Sequence, residues 1–302
     1  MTRPVSCLRT PDERFRNLPG FEFEPHYLND LSGFDGLRLH YLDVNPGNSG
    51  KGTFLCLHGE PSWSYLYRRM IPHFSVAGHR IVAPDFFGFG RSDKPVDDGA
   101  YRFSFHRNTI LRLIERLDLR DITLVVQDWG GLLGLTVPME MPDRFSRLIV
   151  MNTTLARGHS PGPGFDAWKA YAASHPDMGV GDLMKRSTPH LTPAEAAAYD
   201  APFPDQRFKA GVRRFPQLVM VEPGMEGVDL SLKAAHWWSS EWTGKCFMAV
   251  GMKDPVLGPT VMNELRQIIR GCPAPFEVPD GGHFVQEWGE GIALAALGAF
   301  QA

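Results

Sequence analysis

Cysteine is scarce in this chain: four residues in 302, Cys7, Cys56, Cys246 and Cys272, with no Cys-x-x-Cys among them. That spacing suggests neither a zinc site nor a redox dithiol, and no metal is expected. Cys56 and Cys246 lie inside the apolar runs 53–57 and 246–250 and are expected as small buried hydrophobes. No apolar run approaches the roughly 20 residues of a membrane span, so no membrane partner is expected. The segment Met1–Thr10 has no apolar stretch of the secretory type, and the expected location is cytoplasmic. Positive charge is not in excess either. The formal net charge is -3, which offers no basic field to nucleic acid. There is no internal repeat and no low-complexity segment. What remains is ordinary globular usage, 43% hydrophobic and 22% charged. The length suffices for one large core, or a core with a smaller appended domain.

Short apolar, β-rich runs recur along the chain. Strands are expected near 21–28, 37–44, 53–57, 80–84, 122–127, 147–152, 246–251 and 275–279. The runs 123–126 and 148–151 are continuously apolar, as strands covered on both faces must be. Helical patterns fall near 62–76, 105–117, 130–140, 259–270 and 290–300. Between 105 and 117, Ile110, Leu111, Leu113, Ile114 and Leu117 make an apolar stripe at helical spacing. This alternation predicts an α/β fold with a mostly parallel, eight-stranded sheet. The rhythm breaks between roughly 155 and 225, where Pro and Gly punctuate short helical pieces: Phe165–Ser174, Asp182–Arg186, Thr192–Tyr199 and Gln206–Arg214. Thr192-Pro-Ala-Glu195 reads as a capping box with Pro at the first helical position. The expected organisation is a main domain of residues 1–154 and 226–302, with a helical cap of residues 155–225 over a site.

The central motif is Val125-Val-Gln-Asp128-Trp-Gly-Gly131, between an apolar strand and a helix. A sharp turn there is a nucleophile elbow, with Asp in the place of the usual serine. Gly130 and Gly131 let the helix pack closely. Val126 stands where serine hydrolases carry glycine, and Asp128 alone reads equally well as a helix N-cap. Asp280-Gly-Gly-His283 places a histidine before the last helix, and Asp254 follows the apolar strand 246–251. Each has a structural alternative, a surface histidine or a turn residue before Pro255. The chain order of nucleophile, acid and histidine is that of α/β-hydrolases. Asp254 can hold the imidazole tautomer and stabilise the imidazolium. His58-Gly-Glu60-Pro61 follows strand 53–57, and the N–H of Glu60, with that of Trp129, is expected to form an oxyanion hole. Pro61 removes the next donor. The Gly-x-Gly in Pro84-Asp-Phe-Phe-Gly-Phe-Gly-Arg-Ser92 lacks the third glycine of a dinucleotide fingerprint and reads as a structural loop.

Together these motifs resemble the haloalkane dehalogenases. The resemblance runs through His58–Pro61, Pro84–Asp93, Gln127–Gly131, Gly251–Asp254 and Gly281–Val285, and into the cap at Phe165–Trp168 and Ala201–Asp205. It implies an α/β-hydrolase fold and looks closest to the subfamily that binds halide with two tryptophans, here Trp129 and Trp168. The other large subfamily has Asn at the position of Glu60. Phe165, Val212, Phe215, Pro216 and Val219 are implied as pocket walls, though each also reads as ordinary cap core. Leu132 departs from an expected aromatic, and Ser187 stands where related caps carry Trp.

The implied partners are a halogenated alkane, water and halide, with no cofactor, and the chain is expected to be a monomer. The chemistry suits these residues. A carboxylate is ionised near neutral pH without a base, and indole N–H groups stabilise a departing halide in an apolar pocket. His283 would then activate water against the alkyl ester on Asp128. An epoxide hydrolase also uses an elbow Asp and needs two acidic donors, for which the cap offers Tyr171 and Tyr199. A fluoroacetate dehalogenase would want arginines after the nucleophile, and Gly130–Gly134 has none. A non-catalytic ligand receptor would have no need of Asp128, Asp254 and His283 together.

Overall fold

In the computed structural model, which describes residues 6–47 and 49–301, the continuously apolar runs form the centre of one sheet. The strands are β2 (Pro25–Leu28), β3 (Leu39–Val44), β4 (Thr53–Leu57), β5 (Arg80–Pro84), β7 (Ile122–Gln127), β8 (Phe145–Met151), β9 (Lys245–Gly251) and β10 (Phe276–Val278). Their order is β10-β9-β8-β7-β4-β5-β3-β2. The six strands β5, β4, β7, β8, β9 and β10, adjacent in that order, run parallel, while β3 pairs antiparallel with both β2 and β5. Each expected strand is present. A separate two-residue ladder, β1 (Cys7–Leu8) with β6 (Lys94–Pro95), was not expected, because two residues carry no periodicity.

Every residue of β4 and β7 is buried. Leu55 lies opposite Leu124, which lies opposite Leu148, so one apolar row crosses the sheet centre. Helices α1 (Ile71–Val76), α2 (Phe103–Arg116), α3 (Trp129–Gly134), α8 (Val228–Ser240), α9 (Pro259–Ile268) and α10 (Gly289–Gln301) accompany the sheet. The expected helix over 130–140 stops at Gly134 and continues only as a 3-10 turn at Pro138–Glu140. Proline at 138 cannot donate to the ladder. Helix α8 has no counterpart in the sequence reading. Its buried positions are Val228, Ser231, Ala234 and Trp238, while Leu232 is 48% exposed, so a serine inside and a leucine outside weaken the apolar stripe.

Between β8 and α8 the chain has no strand. It forms α4 (Pro163–Ser174), α5 (Val180–Ser187), α6 (Pro193–Asp200) and α7 (Ala210–Leu218). The capping box forms at the start of α6, with Thr192 Oγ1 accepting from Glu195 N–H and Glu195 Oε2 accepting from Thr192 N–H. Among the described residues no helix is long and apolar enough to cross a membrane. Cys246 is buried as expected, with its Sγ 3.3 Å from that of Cys272.

A charge cluster joins α6 to the sheet-bearing part of the chain. Arg68 donates to Glu287 Oε1 at 2.6 Å, Glu287 Oε2 at 2.9 Å and Glu195 Oε1 at 3.0 Å. Arg69 reaches both acids, at 3.0 Å to Glu287 and 2.5 Å to Glu195, and the Tyr199 hydroxyl also donates to Glu287. The side chains of Arg68 and Glu287 are 3% and 0% exposed. Removing one member of such a buried pair strands the other, which costs about 3–5 kcal/mol. Glu287→Leu should therefore lower unfolding free energy by about that amount in a urea titration. A loss no larger than that of a surface substitution would mean that the cluster contributes nothing to holding α6 in place.

Candidate active site

The parallel strands end on one edge of the sheet, and the polar residues that interrupt the apolar runs follow those ends. His58 follows β4, Asp128 follows β7, Asn152 follows β8 and Asp254 lies three residues beyond β9. Ligands of open α/β sheets bind at this edge.

Asp128 sits between β7 and α3 with φ 49° and ψ -124°. A non-glycine residue in that region is strained and persists only where its surroundings hold it. They do so tightly. A Cβ on Gly130 would come within 2.0 Å of Leu57 O, and one on Gly59 within 2.5 Å of the Asp128 side chain. Glycine at both places lets the elbow and the loop after β4 approach each other. Asp128 Oδ1 then accepts the Glu60 N–H at 2.7 Å. The Asp128 N–H donates to Asn152 O at 3.0 Å.

His283 faces Asp128 from the loop between β10 and α10. Its Nε2 is 3.5 Å from Asp128 Oδ2, and its Nδ1 is 2.9 Å from Asp254 Oδ2. Asp254 also accepts from Asn152 Nδ2 at 2.9 Å and from Val256 N–H at 2.8 Å. Burial would raise the Asp254 carboxyl, but His283 and these donors hold it below its ordinary value. Burial likewise opposes charge on His283, and the two flanking carboxyls outweigh it, placing the imidazole well above its ordinary value. Gln127 Nε2 donates to His283 O at 3.1 Å and lies 3.1 Å from His283 Nε2. It can donate to that nitrogen only when the ring is neutral, so Gln127 favours the basic form that the carboxyls oppose.

The loop after β4 is braced from behind. His58 Nε2 accepts the Phe86 N–H at 2.9 Å, and Nδ1 is 2.8 Å from Gly59 O. Asp85 accepts from Ser64 N–H and Arg91 N–H, each at 2.8 Å, and pairs with His40 at 2.7 Å. Asp85 is fully buried, and these contacts overcome burial to keep its carboxyl far below the usual range. The Gly-x-Gly segment thus supports the loop that carries Glu60.

These groups open on a cavity of about 940 Å³ lined by Asp128, Trp129, Glu60, His283 and residues of α4, α5 and α7. Of the expected walls, Leu132, Phe165, Trp168, Pro216 and Val219 line it. Val212 and Phe215 do not. Both are fully buried, and Phe215 lies behind Trp129, ring centroids 4.6 Å apart, against Phe89 and His106. An apolar residue on a helix such as α7 reads alike whether it faces ligand or core. Trp129 is 2% exposed, whereas Trp168 is half-buried against Tyr171. Ser187 is also on the wall, as are His190 and Trp288, which the sequence reading passed over. Asn152 was missed too, although a polar residue ending an apolar strand is a usable signal. Of the two tyrosines an epoxide hydrolase would need, Tyr171 lines the cavity, but Tyr199 is buried and donates to Glu287.

The model of the alpha/beta hydrolase fold matches residues 52–290. A haloalkane dehalogenase of Psychrobacter cryohalolentis is 44% identical over 295 residues, 96% of both chains. Haloalkane dehalogenase 1 of Mycobacterium tuberculosis is 44% identical over 94% of both. The solved haloalkane dehalogenase DpaA of Paraglaciecola agarilytica has a TM-score of 0.95 and 50% identity, covering 98% of this chain and 99% of that one. DpaA is tetrameric, which does not fit the monomer expected from sequence. By the fold-wide match and these near full-length relatives, the chain belongs to the haloalkane dehalogenase family of α/β-hydrolases.

Proposed function

We propose that this chain hydrolyses carbon–halogen bonds of haloalkanes through a covalent alkyl ester on Asp128. The observation that carries the reading is the Asp128 carboxylate on the cavity wall, one oxygen on the Glu60 N–H at 2.7 Å and the other 3.5 Å from His283 Nε2, with Trp129 and Trp168 on the same wall. In this reading Asp128 Oδ attacks the halogen-bearing carbon from the side opposite the halogen. The carbon–halogen electron pair leaves with the halide, and the Trp129 and Trp168 N–H groups receive the charge in an apolar cavity. No proton moves in this step.

The ester has no charge, and that prepares the second step. While Asp128 is a carboxylate it helps hold a proton on His283. Alkylation removes that attraction, and Gln127 favours the neutral ring. His283 then takes a proton from water as the water oxygen attacks the ester carbonyl carbon. Asp254 stabilises the imidazolium. The Glu60 and Trp129 N–H groups hold the oxyanion until the alkoxide leaves and is protonated. The products are alcohol, halide and a proton, and no cofactor enters. The reading includes residues 155–225 as a cap domain over the main domain, 1–154 and 226–302. The tetrameric relative supports an oligomeric enzyme.

Asp128→Ala should fold normally and release no halide from dibromoethane, since it deletes the attacking atom; sustained turnover would refute the covalent route. Trp168→Phe keeps most of the volume and removes one N–H. Loss of a donor to developing charge costs roughly 2.7–4 kcal/mol in comparable oxyanion sites. Carbon–bromine cleavage in a single turnover should fall accordingly, with little change in Tm and weaker bromide quenching of tryptophan fluorescence. Unchanged cleavage rate and bromide affinity would reduce Trp168 to a packing residue.

A further inference from the structure

The spacing of the four cysteines suggests no pair, yet the fold brings two of them together. Cys246 is the second residue of β9, and Cys272 lies in the turn between α9 and β10. The Cys246 thiol donates to Cys272 Sγ at 3.3 Å. Both ends of this contact are held. Cys246 stands within the sheet, opposite Leu148 of β8. In the turn, the Cys272 N–H donates to Ile269 O at 3.1 Å, the Arg270 N–H to Trp238 O at 3.0 Å and Arg266 Nε to Pro273 O at 2.8 Å. Two sulfurs so placed need only a small side-chain adjustment to reach the roughly 2.05 Å of a disulfide bond.

Only a thiolate reacts readily with an oxidant, and it must be reachable. Cys56 is fully buried in β4, and burial pushes its thiol up. Cys7 lies 3.7 Å from Asp93 Oδ2, and burial and that carboxylate raise it. Cys272 differs from both. It is partly exposed, and the donated Cys246 thiol, then the nearby Arg266 guanidinium, hold it below its ordinary value against the effect of burial. Cys246, the buried donor, is pushed up in turn. The pair thus joins an accessible sulfur favoured as thiolate to a second thiol already in contact with it. That is the arrangement of an attacking and a resolving cysteine.

We propose that Cys246 and Cys272 are a modification site, an oxidisable thiol pair that hydrogen peroxide converts into an intrachain disulfide. The Cys272 thiolate attacks one peroxide oxygen. The O–O bond breaks, the other oxygen leaves as hydroxide and takes up the thiol proton as water, and Cys272 becomes a sulfenic acid. Cys246 Sγ then attacks that sulfur. The S–S bond forms as the S–O bond breaks, and the oxygen leaves as a second water with the Cys246 proton. Both sulfurs are oxidised and the peroxide is reduced. A small dithiol reverses the change by thiol–disulfide exchange. The bridge closes residues 246–272 into a loop that holds most of β9, Asp254 and α9. It lies at the end of β9 away from Asp254, so it should stabilise the fold without moving the catalytic residues. The inference does not depend on which reaction the site performs.

The test treats the reduced full-length chain with a small excess of hydrogen peroxide and follows it by mass spectrometry without reductant. Thiols titrated in denaturant should fall from four per chain to two. The tryptic peptide that begins at Cys246 should be found joined to the one that contains Cys272. Tm should rise on the order of 5 °C, as for closing a loop of this length in a chain of this size, and dithiothreitol should return it. Cys272→Ser, treated alike, should form no bridge and show no rise. If that variant does not fold, the peptide map of the wild type decides alone. Cys246 and Cys272 still free under these conditions, or Cys272 carried on to sulfinic acid with Cys246 unmodified, would overturn the pair as a disulfide site. A bridge that leaves Tm unchanged would overturn its stabilising role.

Discussion

One imidazole stands between two carboxyl groups at the edge of the sheet, and most of the site can be understood from keeping that arrangement balanced. His283 is 3.5 Å from Asp128 and 2.9 Å from Asp254, and both contacts lie inside a largely buried cavity. Burial would raise the Asp254 carboxyl, and the ring with the Asn152 and Val256 donors keeps it below its ordinary value. The balance is set asymmetrically. Asp254 has Asn152 and the Val256 N–H as well as the ring, whereas Asp128 has the Glu60 N–H and a looser approach to His283. The acid that must stay a carboxylate is thus the better satisfied of the two. The more loosely held of the two is the one that can attack.

The backbone is organised around the same need. Asp128 adopts its strained φ because the loop after β4 comes within hydrogen-bonding distance, and it can do so only because Gly59 and Gly130 have no Cβ. Asn152 links the neighbouring strand ends. Its carbonyl accepts the Asp128 N–H, its Nδ2 donates to Asp254, and its Oδ1 accepts the Gly251 N–H at 2.8 Å. A displacement of β8 relative to β7 or β9 would misplace nucleophile and acid together. The Arg68–Glu287–Glu195 cluster extends this anchoring to α6, which packs against α5 on the cavity wall.

Much of this was readable in the chain. Buried parallel strands are apolar throughout, so β4, β7 and β8 announced themselves, and with them the strand ends where Asp128 and the Glu60 loop lie. The order of Asp128, Asp254 and His283 added a pattern that turn formation alone does not explain. What could not be read was hidden by degeneracy. Helix α8 buries Val228, Ala234 and Trp238, but Ser231 sits on the same buried face and Leu232 on the exposed one, which blurs its stripe. Val212 and Phe215 are as apolar as Val219, yet they pack behind the cavity wall. Tyr199 was a credible acid donor until the fold turned its hydroxyl towards Glu287. In each case tertiary packing chose between uses that the residue type leaves equivalent.

The central claim is that two steps share the site, the first using Asp128 as nucleophile without any base and the second needing His283 as base. His283→Phe separates them. Incubated with dibromoethane, this variant should release about one bromide per active site and then stop, because the ester cannot be hydrolysed. Mass spectrometry of the peptide containing Asp128 should find the alkyl group attached there. An unmodified Asp128 peptide together with continued turnover would contradict the account, since it would mean that carbon–halogen cleavage proceeds without the covalent ester.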